Sequence, residues 1–303
     1  MKHIVVHEVG PRDGLQMERQ VVPTDIKEDW IRRTMESGVD IVQVGSFVHP
    51  VKVPQMADTD ELIRRLVKDK RSPVILAGLA LNKRGMERGL ECGVEMFALG
   101  ASASETHSMK NTGMASMDAT HRIIGAGQEA LAAGKKVQVS VQSAFGCGFE
   151  GPVSEVRVLE MAAAYVDAGL FNISLADTAG HAHPAQVERL FSAVLELDPN
   201  VECTCHFHNT YGLGMANIMA ALRVGVTSFE TSFAGLGGCP FTKVAAGNVA
   251  TEDFVNALQL QGLRKDIELG SLIGVAGDVA GYFEREMPGC VYKTGSIQNR
   301  EAV

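Results

Sequence analysis

The sequence predicts an α/β protein built as a (β/α)8 TIM barrel with extra C-terminal helices. Short β-branched runs alternate with longer amphipathic stretches along the chain, and the alternation occurs eight times. Several helical stretches end in a glycine just before the next strand, at Gly38, Gly93, Gly134, Gly169 and Gly225. Glycine there closes a helix in the left-handed conformation that other residues adopt only with strain. A doubly wound open sheet shares the alternation and is the alternative architecture.

The first run, HIVVHEV (3–9), leads through GPRDGLQ into the amphipathic TDIKEDWIRRTMESG. IVQVGSF (41–47), PVILAGLAL (73–81) and MFALGAS (96–102) are the next three strands. KVQVSVQSAF (136–145) precedes the helix SEVRVLEMAAAYVDAG, and FNISLADT (171–178) is the sixth strand. VECTCHFHNT (201–210) is followed by MANIMAALRVG, and SFETSFAGL (228–236) is the last strand, with ATEDFVNALQLQG as its helix. Beyond it, ELGSLIGVAGDVAGYFERE reads as an additional helix packed on the barrel. No composition shift or Pro/Ser-rich linker divides the chain. A single domain over 1–303 is expected, with the barrel over about 3–262 and a helical extension over 263–303.

With 303 residues, 46% of them hydrophobic, the chain can bury a sizeable core. A net charge of −8 argues against nucleic acid as a partner, since phosphate binding needs a basic surface. No apolar run reaches the roughly 20 residues needed to cross a bilayer. MKHIVVHEVG runs straight into a strand, so no signal peptide is expected. The six cysteines at 92, 147, 203, 205, 239 and 290 form no CxxC pair, which suits free thiols in a reducing, cytoplasmic setting.

In such a barrel the chemistry sits at the C-terminal ends of the strands, where GPRDGLQ, SFVHP, LADTAGHAH, HFHNTYG and GLGGCP are expected. His206 and His208 are two apart, so their side chains share one side of the sheet. Two imidazoles beside an asparagine suit a divalent metal that also takes oxygen ligands. Asp13, expected to end strand one, adjoins the last strand once the barrel closes, and Asn248 lies in a loop that can return over the same mouth. Carboxylate, two imidazoles and an amide oxygen leave positions open for a chelating substrate. Arg12, next to Asp13, suits stabilisation of an oxyanion, although an Arg–Asp pair can equally tie down a loop. Cys239 in GLGGCP is a thiol among glycines, able to serve as acid or base on bound substrate, or to be an inert small residue.

Taken together, VGPRDGLQ, SFVHPVKVPQMAD, ISLADTAG, CHFHNTYG and GLGGCPF…AAGNVATED resemble the 3-hydroxy-3-methylglutaryl-CoA lyase family over about residues 5–260. The resemblance implies a metal-dependent barrel lyase that takes a 3-hydroxyacyl-CoA and releases acetyl-CoA and a keto acid by retro-Claisen cleavage, in the setting of leucine degradation. It implies Asp13, His206, His208 and Asn248 as ligands of Mg2+ or Mn2+, Arg12 as support for the thioester enolate, and Cys239 as the loop thiol. Asp177 and Gln16 fall on active-site polar positions, and either Asp13 or His206 is the implied base. Two positions depart from the family: Gln43 stands where glutamate is usual, and Met17 where asparagine is common. Both lie near the expected substrate carboxylate, so the acyl group can differ, for instance citramalyl. A condensing synthase of the same barrel group and a catalytically idle metal-binding barrel are the competing readings. Neither nucleic acid nor membrane is an expected partner, and a homo-oligomer is allowed.

Overall fold

The computed structural model describes residues 3–238 and 247–297. Eight parallel strands follow one another around a closed ring in chain order, and the last pairs with the first. That closure excludes the open sheet. The strands are β1 Val5–Glu8, β2 Ile41–Ser46, β3 Ile75–Leu79, β4 Met96–Ser102, β5 Lys136–Gln142, β6 Asn172–Asp177, β7 Glu202–Phe207 and β8 Ser228–Thr231. The helices are α1 Thr24–Glu36, α2 Thr59–Lys68, α3 Lys83–Cys92, α4 Glu105–Thr112, α5 Ser116–Ala132, α6 Glu155–Asp167, α7 Pro184–Leu195, α8 Gly214–Arg223 and α9 Thr251–Leu260. The extension adds α10 Leu269–Tyr282 and α11 Val291–Thr294. The fourth unit carries two helices, α4 and α5, between β4 and β5.

The strands are buried on both faces, which explains why they read as continuous β-branched runs. Outward residues such as Val6, Val42, Leu76, Phe97, Val139, Ile173, Cys205 and Phe229 meet the helix ring in one continuous core. Inside the barrel, Ile41, Ala77 and Met96 pack with Val5 and Ile75 toward the N-terminal end. A separate cluster joins α10 to the loops at the C-terminal mouth. In it Leu15, Trp30, Phe233 and Leu236 meet Val275, Ala276 and Val279. The extension thus braces the loops after β1 and β8.

Several expected strands end early for visible reasons. The fifth stops at Gln142 because Ser143 takes a left-handed φ of 55° and turns the chain. The seventh stops at Phe207 because His208 pairs instead with Asn248 in an isolated antiparallel bridge.

Candidate active site and metal centre

Asp13 does not end strand one, as the sequence reading had it. The strand stops at Glu8, and Asp13 lies in a single π-helical turn, Gly10–Gly14. That turn is centred on the Val9 carbonyl, which accepts the amide N–H groups of Arg12, Asp13 and Gly14 at 3.0, 2.7 and 3.4 Å. Wide turns of this kind recur at functional sites, and here the turn aims Asp13 over the barrel mouth.

His206 and His208 extend from the end of β7, their Nε2 atoms 3.1 Å apart. Asp13 Oδ2 lies 3.8 Å from His206 Nε2 and 3.5 Å from His208 Nε2. The loop after β8 returns as expected: the Asn209 N–H donates to the Gly247 carbonyl and the Val249 N–H to the Phe207 carbonyl, setting Asn248 beside His208. Asn248 Nδ2 donates to Asp13 Oδ2 at 2.9 Å. Gly237 is required nearby, because its φ of +121° disfavours side chains and a Cβ there would lie 2.6 Å from Asn248 Nδ2.

The donor set fits a divalent ion. Asp13, His206 and His208 converge within ion-binding reach and are all buried. Two imidazole nitrogens face each other at a distance that calls for a proton or a cation between them. Among the described residues the buried Asn248 Oδ1 and His208 Nδ1 have no hydrogen-bond partner, so an amide oxygen is available to complete the set.

Charge is arranged around this cluster. Burial pushes the Asp13 carboxyl up, but Arg12 and the two imidazoles outweigh it and hold Asp13 well below the usual range. Burial pushes His206 down, yet Glu230 and Asp13 more than compensate, so its pKa is raised. Arg12 Nη1 reaches Asp13 Oδ1 at 2.6 Å, and its Nε donates to Gln43 Oε1. The Arg–Asp pair is therefore present, and the guanidinium is held at the mouth by one charged and one neutral partner. Gln43 is buried at the third position of β2, beside an irregularity in its pairing with β3. Gln16 reaches Asp13 Oδ1 at 3.5 Å from the first loop, and Met17 follows it in the short turn Leu15–Met17.

Asp177 ends β6 but does not join the cluster. Its two oxygens accept the backbone N–H groups of His181 and Ala182 at 2.8 and 3.0 Å, fixing the next loop. His181 packs against Tyr211, and with His183 it lines a cleft on the rim. Cys239 lies outside the described residues.

Four buried groups were not singled out in the sequence. Glu230 in β8 lies 2.7 Å from His206 Nδ1, a short approach that is not collinear with the ring N–H, and 3.5 Å from His7 of β1. Glu8 accepts from the Gly10 N–H, the Phe233 N–H and the Thr251 hydroxyl at 2.6, 2.9 and 2.7 Å, tying the Asp13 turn to the loop after β8. Glu252 accepts the Ala234 N–H at 3.1 Å. For His7, Glu8 and Glu230 the available signal was a charged or imidazole side chain inside a strand run; Glu252, in the polar first turn of α9, gave none.

The curated relatives match over nearly the whole chain. Hydroxymethylglutaryl-CoA lyase YngG of Bacillus subtilis is 35% identical, with 91% of each chain covered. (R)-citramalyl-CoA lyase of Chloroflexus aurantiacus is 34% identical, covering 98% of this chain and 96% of its own. Among solved structures, an HMG-CoA lyase from Acinetobacter baumannii in complex with coenzyme A and 3-methylmalate superposes with a TM-score of 0.92. It is 36% identical over 99% of this chain and 98% of that one. The HMGL-like family model matches residues 3–279, and with these relatives it establishes that the chain belongs to the HMG-CoA lyase family.

Proposed function

We propose that this chain is a divalent-metal-dependent carbon–carbon lyase that cleaves a 3-hydroxy-3-methylacyl-CoA to acetyl-CoA and a keto acid. The observation that carries the reading is the convergence of Asp13, His206 and His208 at the barrel mouth, with Arg12 bound to Asp13 and Asn248 against it. Asp13, His206, His208 and Asn248 would hold the ion, taken to be Mg2+ or Mn2+. When bound, such an ion supplies Lewis-acid polarisation of substrate oxygens.

The protein's own groups account for the rest. A base takes the proton of the tertiary hydroxyl, the bond to the thioester α-carbon breaks, and its electron pair becomes the thioester enolate. Asp13 and His206, the two residues that the resemblance implies as base, both stand in this cluster. Arg12 lies where its charge can face the enolate oxygen. A proton then converts the enolate to acetyl-CoA, and Cys239 is the proposed donor. Gln16 and Gln43 contact the substrate in this reading, and Asp177 acts through the loop it fixes. A cytoplasmic setting, a part in leucine degradation and a homo-oligomeric assembly complete the proposal.

The acyl group has two candidates. Hydroxymethylglutaryl-CoA follows from the family, whereas Gln43 on Arg12 and the (R)-citramalyl-CoA lyase relative favour citramalyl-CoA. Acetyl-CoA release from both thioesters, measured with added Mg2+ or Mn2+ and after chelation, tests the reading. Turnover of at least one substrate is expected, together with its loss on chelation. In His206→Ala and His208→Ala, metal affinity and turnover should fall together. Full turnover of a metal-stripped enzyme would overturn the metal assignment.

A further inference from the structure

Three neighbouring strands place a second set of polar groups behind the metal site. In the barrel register His7 of β1 stands opposite Glu230 of β8, which stands opposite His206 of β7. All three side chains are buried. The two oxygens of Glu230 are divided between two rings. Oε2 lies 2.7 Å from His206 Nδ1, and Oε1 lies 3.5 Å from His7 Nδ1. The other nitrogen of His206 is the one that faces His208 and Asp13.

We propose that Glu230 and His7 are positioning residues for the metal centre, aligned across three strands so that His206 presents Nε2 to the ion. A neutral imidazole carries one proton, and whichever nitrogen carries it has no lone pair to donate. A carboxylate at Nδ1 keeps that proton there and leaves the Nε2 lone pair bare toward Asp13 and His208. It also fixes the plane of the ring, as carboxylate partners of metal-bound histidines do. His7 gives Glu230 a polar neighbour on its second oxygen. A carboxylate buried inside the barrel is expensive unless paired, and His206, at 2.7 Å, is its close partner, with His7 a more distant polar neighbour.

The inference rests on the metal-site reading above, and the test separates the two. Mn2+ affinity is measured by titration calorimetry and Mn2+ EPR, without substrate, on the full chain and on His206→Ala, Glu230→Gln, His7→Ala and the Glu230→Gln/His7→Ala double variant. Thermal unfolding confirms that each is folded. The unaltered chain should bind Mn2+, and His206→Ala should weaken it; failure there overturns the metal-site reading and this inference with it. Glu230→Gln keeps the volume but not the charge and should weaken Mn2+ binding about 10–100-fold. His7→Ala should weaken it less, and the double variant no more than Glu230→Gln alone, because His7 acts through Glu230. Unchanged affinity in folded Glu230→Gln, or fully additive losses in the double variant, overturns the inference. If Glu230→Gln does not fold, Glu230→Asp, shorter by one methylene, replaces it with the same expected and overturning outcomes.

Discussion

Arg12 has two partners of different charge, and that difference bears on the substrate. Its Nη1 is paired with Asp13, while its Nε rests on the neutral oxygen of Gln43. A glutamate at position 43 would add a second carboxylate to a buried guanidinium, in an interior where charge is poorly screened. With glutamine the positive charge is less neutralised and more available to an anionic enolate, but a potential proton acceptor is lost. Gln43→Glu should therefore raise kcat/KM for hydroxymethylglutaryl-CoA relative to citramalyl-CoA, with metal saturating. If the unaltered enzyme already prefers hydroxymethylglutaryl-CoA and the variant changes neither ratio nor rate, the substitution is neutral. Arg12, Asp13 and the two histidines were legible because they stand in short motifs at the barrel mouth, where the fold concentrates chemistry, and Gln43 because it departs from the family that those motifs resemble. His7 and Glu230 were not. Their meaning depends on the register among β1, β8 and β7, which barrel closure sets and no local spacing reveals.

The extension is where the elements bear most on the site. Helix α10 packs through Val275, Ala276 and Val279 against Phe233 and Leu236, and Trp30 of α1 meets Phe233 and Tyr282 edge-on at 6.1 and 5.6 Å. The link from α9 to α10 is anchored by Arg264, a left-handed residue with φ of 45°. Its buried guanidinium donates to the Ile4 and Gly38 carbonyls and to Asp40, and on its outer side to the exposed Asp266. The Asp266 contact adds little in water. Arg264→Ala strips donors from two carbonyls and a carboxylate, which should cost about 3 kcal/mol in urea unfolding. Arg264→Lys should restore part of that loss, having charge without the planar fork. A loss under about 0.5 kcal/mol, the size of an ordinary surface change, would show that the α10 apolar contacts alone hold the extension. The helix itself was visible as an apolar run after the eighth unit. Its seat was not, because Arg264 joins segments more than 200 residues apart in sequence, at 4, 38, 40 and 264.

Across the whole molecule, two buried glutamates give stability a pH dependence of unusual sign for carboxylates. Burial pushes Glu8 from 4.5 up to about 7, despite the Thr251, Gly10 and Phe233 donors that oppose the shift. Burial, with Asp253 and Glu8 nearby, pushes Glu252 up to about 8 against the opposing Ala234 N–H. A carboxyl raised on folding binds more protons native than unfolded between the two pKa values. Its contribution is therefore complete below about 4.5 and is lost as pH rises through about 7 for Glu8 and about 8 for Glu252. Asp13 and Glu230 are shifted down, so their contributions run the other way, present above the ordinary carboxylate range and lost on acidification. From mildly acidic to alkaline pH, His7, pushed down to about 4, opposes the glutamate pair and the raised His206 adds to it; the net is a fall in unfolding free energy, by a few kcal/mol from about pH 5.5 to 8.5. Both glutamates hold amides of the Phe233–Ala234 corner, so the loss should fall on the loop that carries Asn248. Glu8→Gln and Glu252→Gln mimic the protonated forms. Each should come closest to the unaltered protein towards pH 4.5 and exceed its stability increasingly up to about pH 8.5, flattening the urea-unfolding profile. Profiles that stay parallel across this range would show that the two carboxyls titrate normally and that charge at this corner does not govern stability.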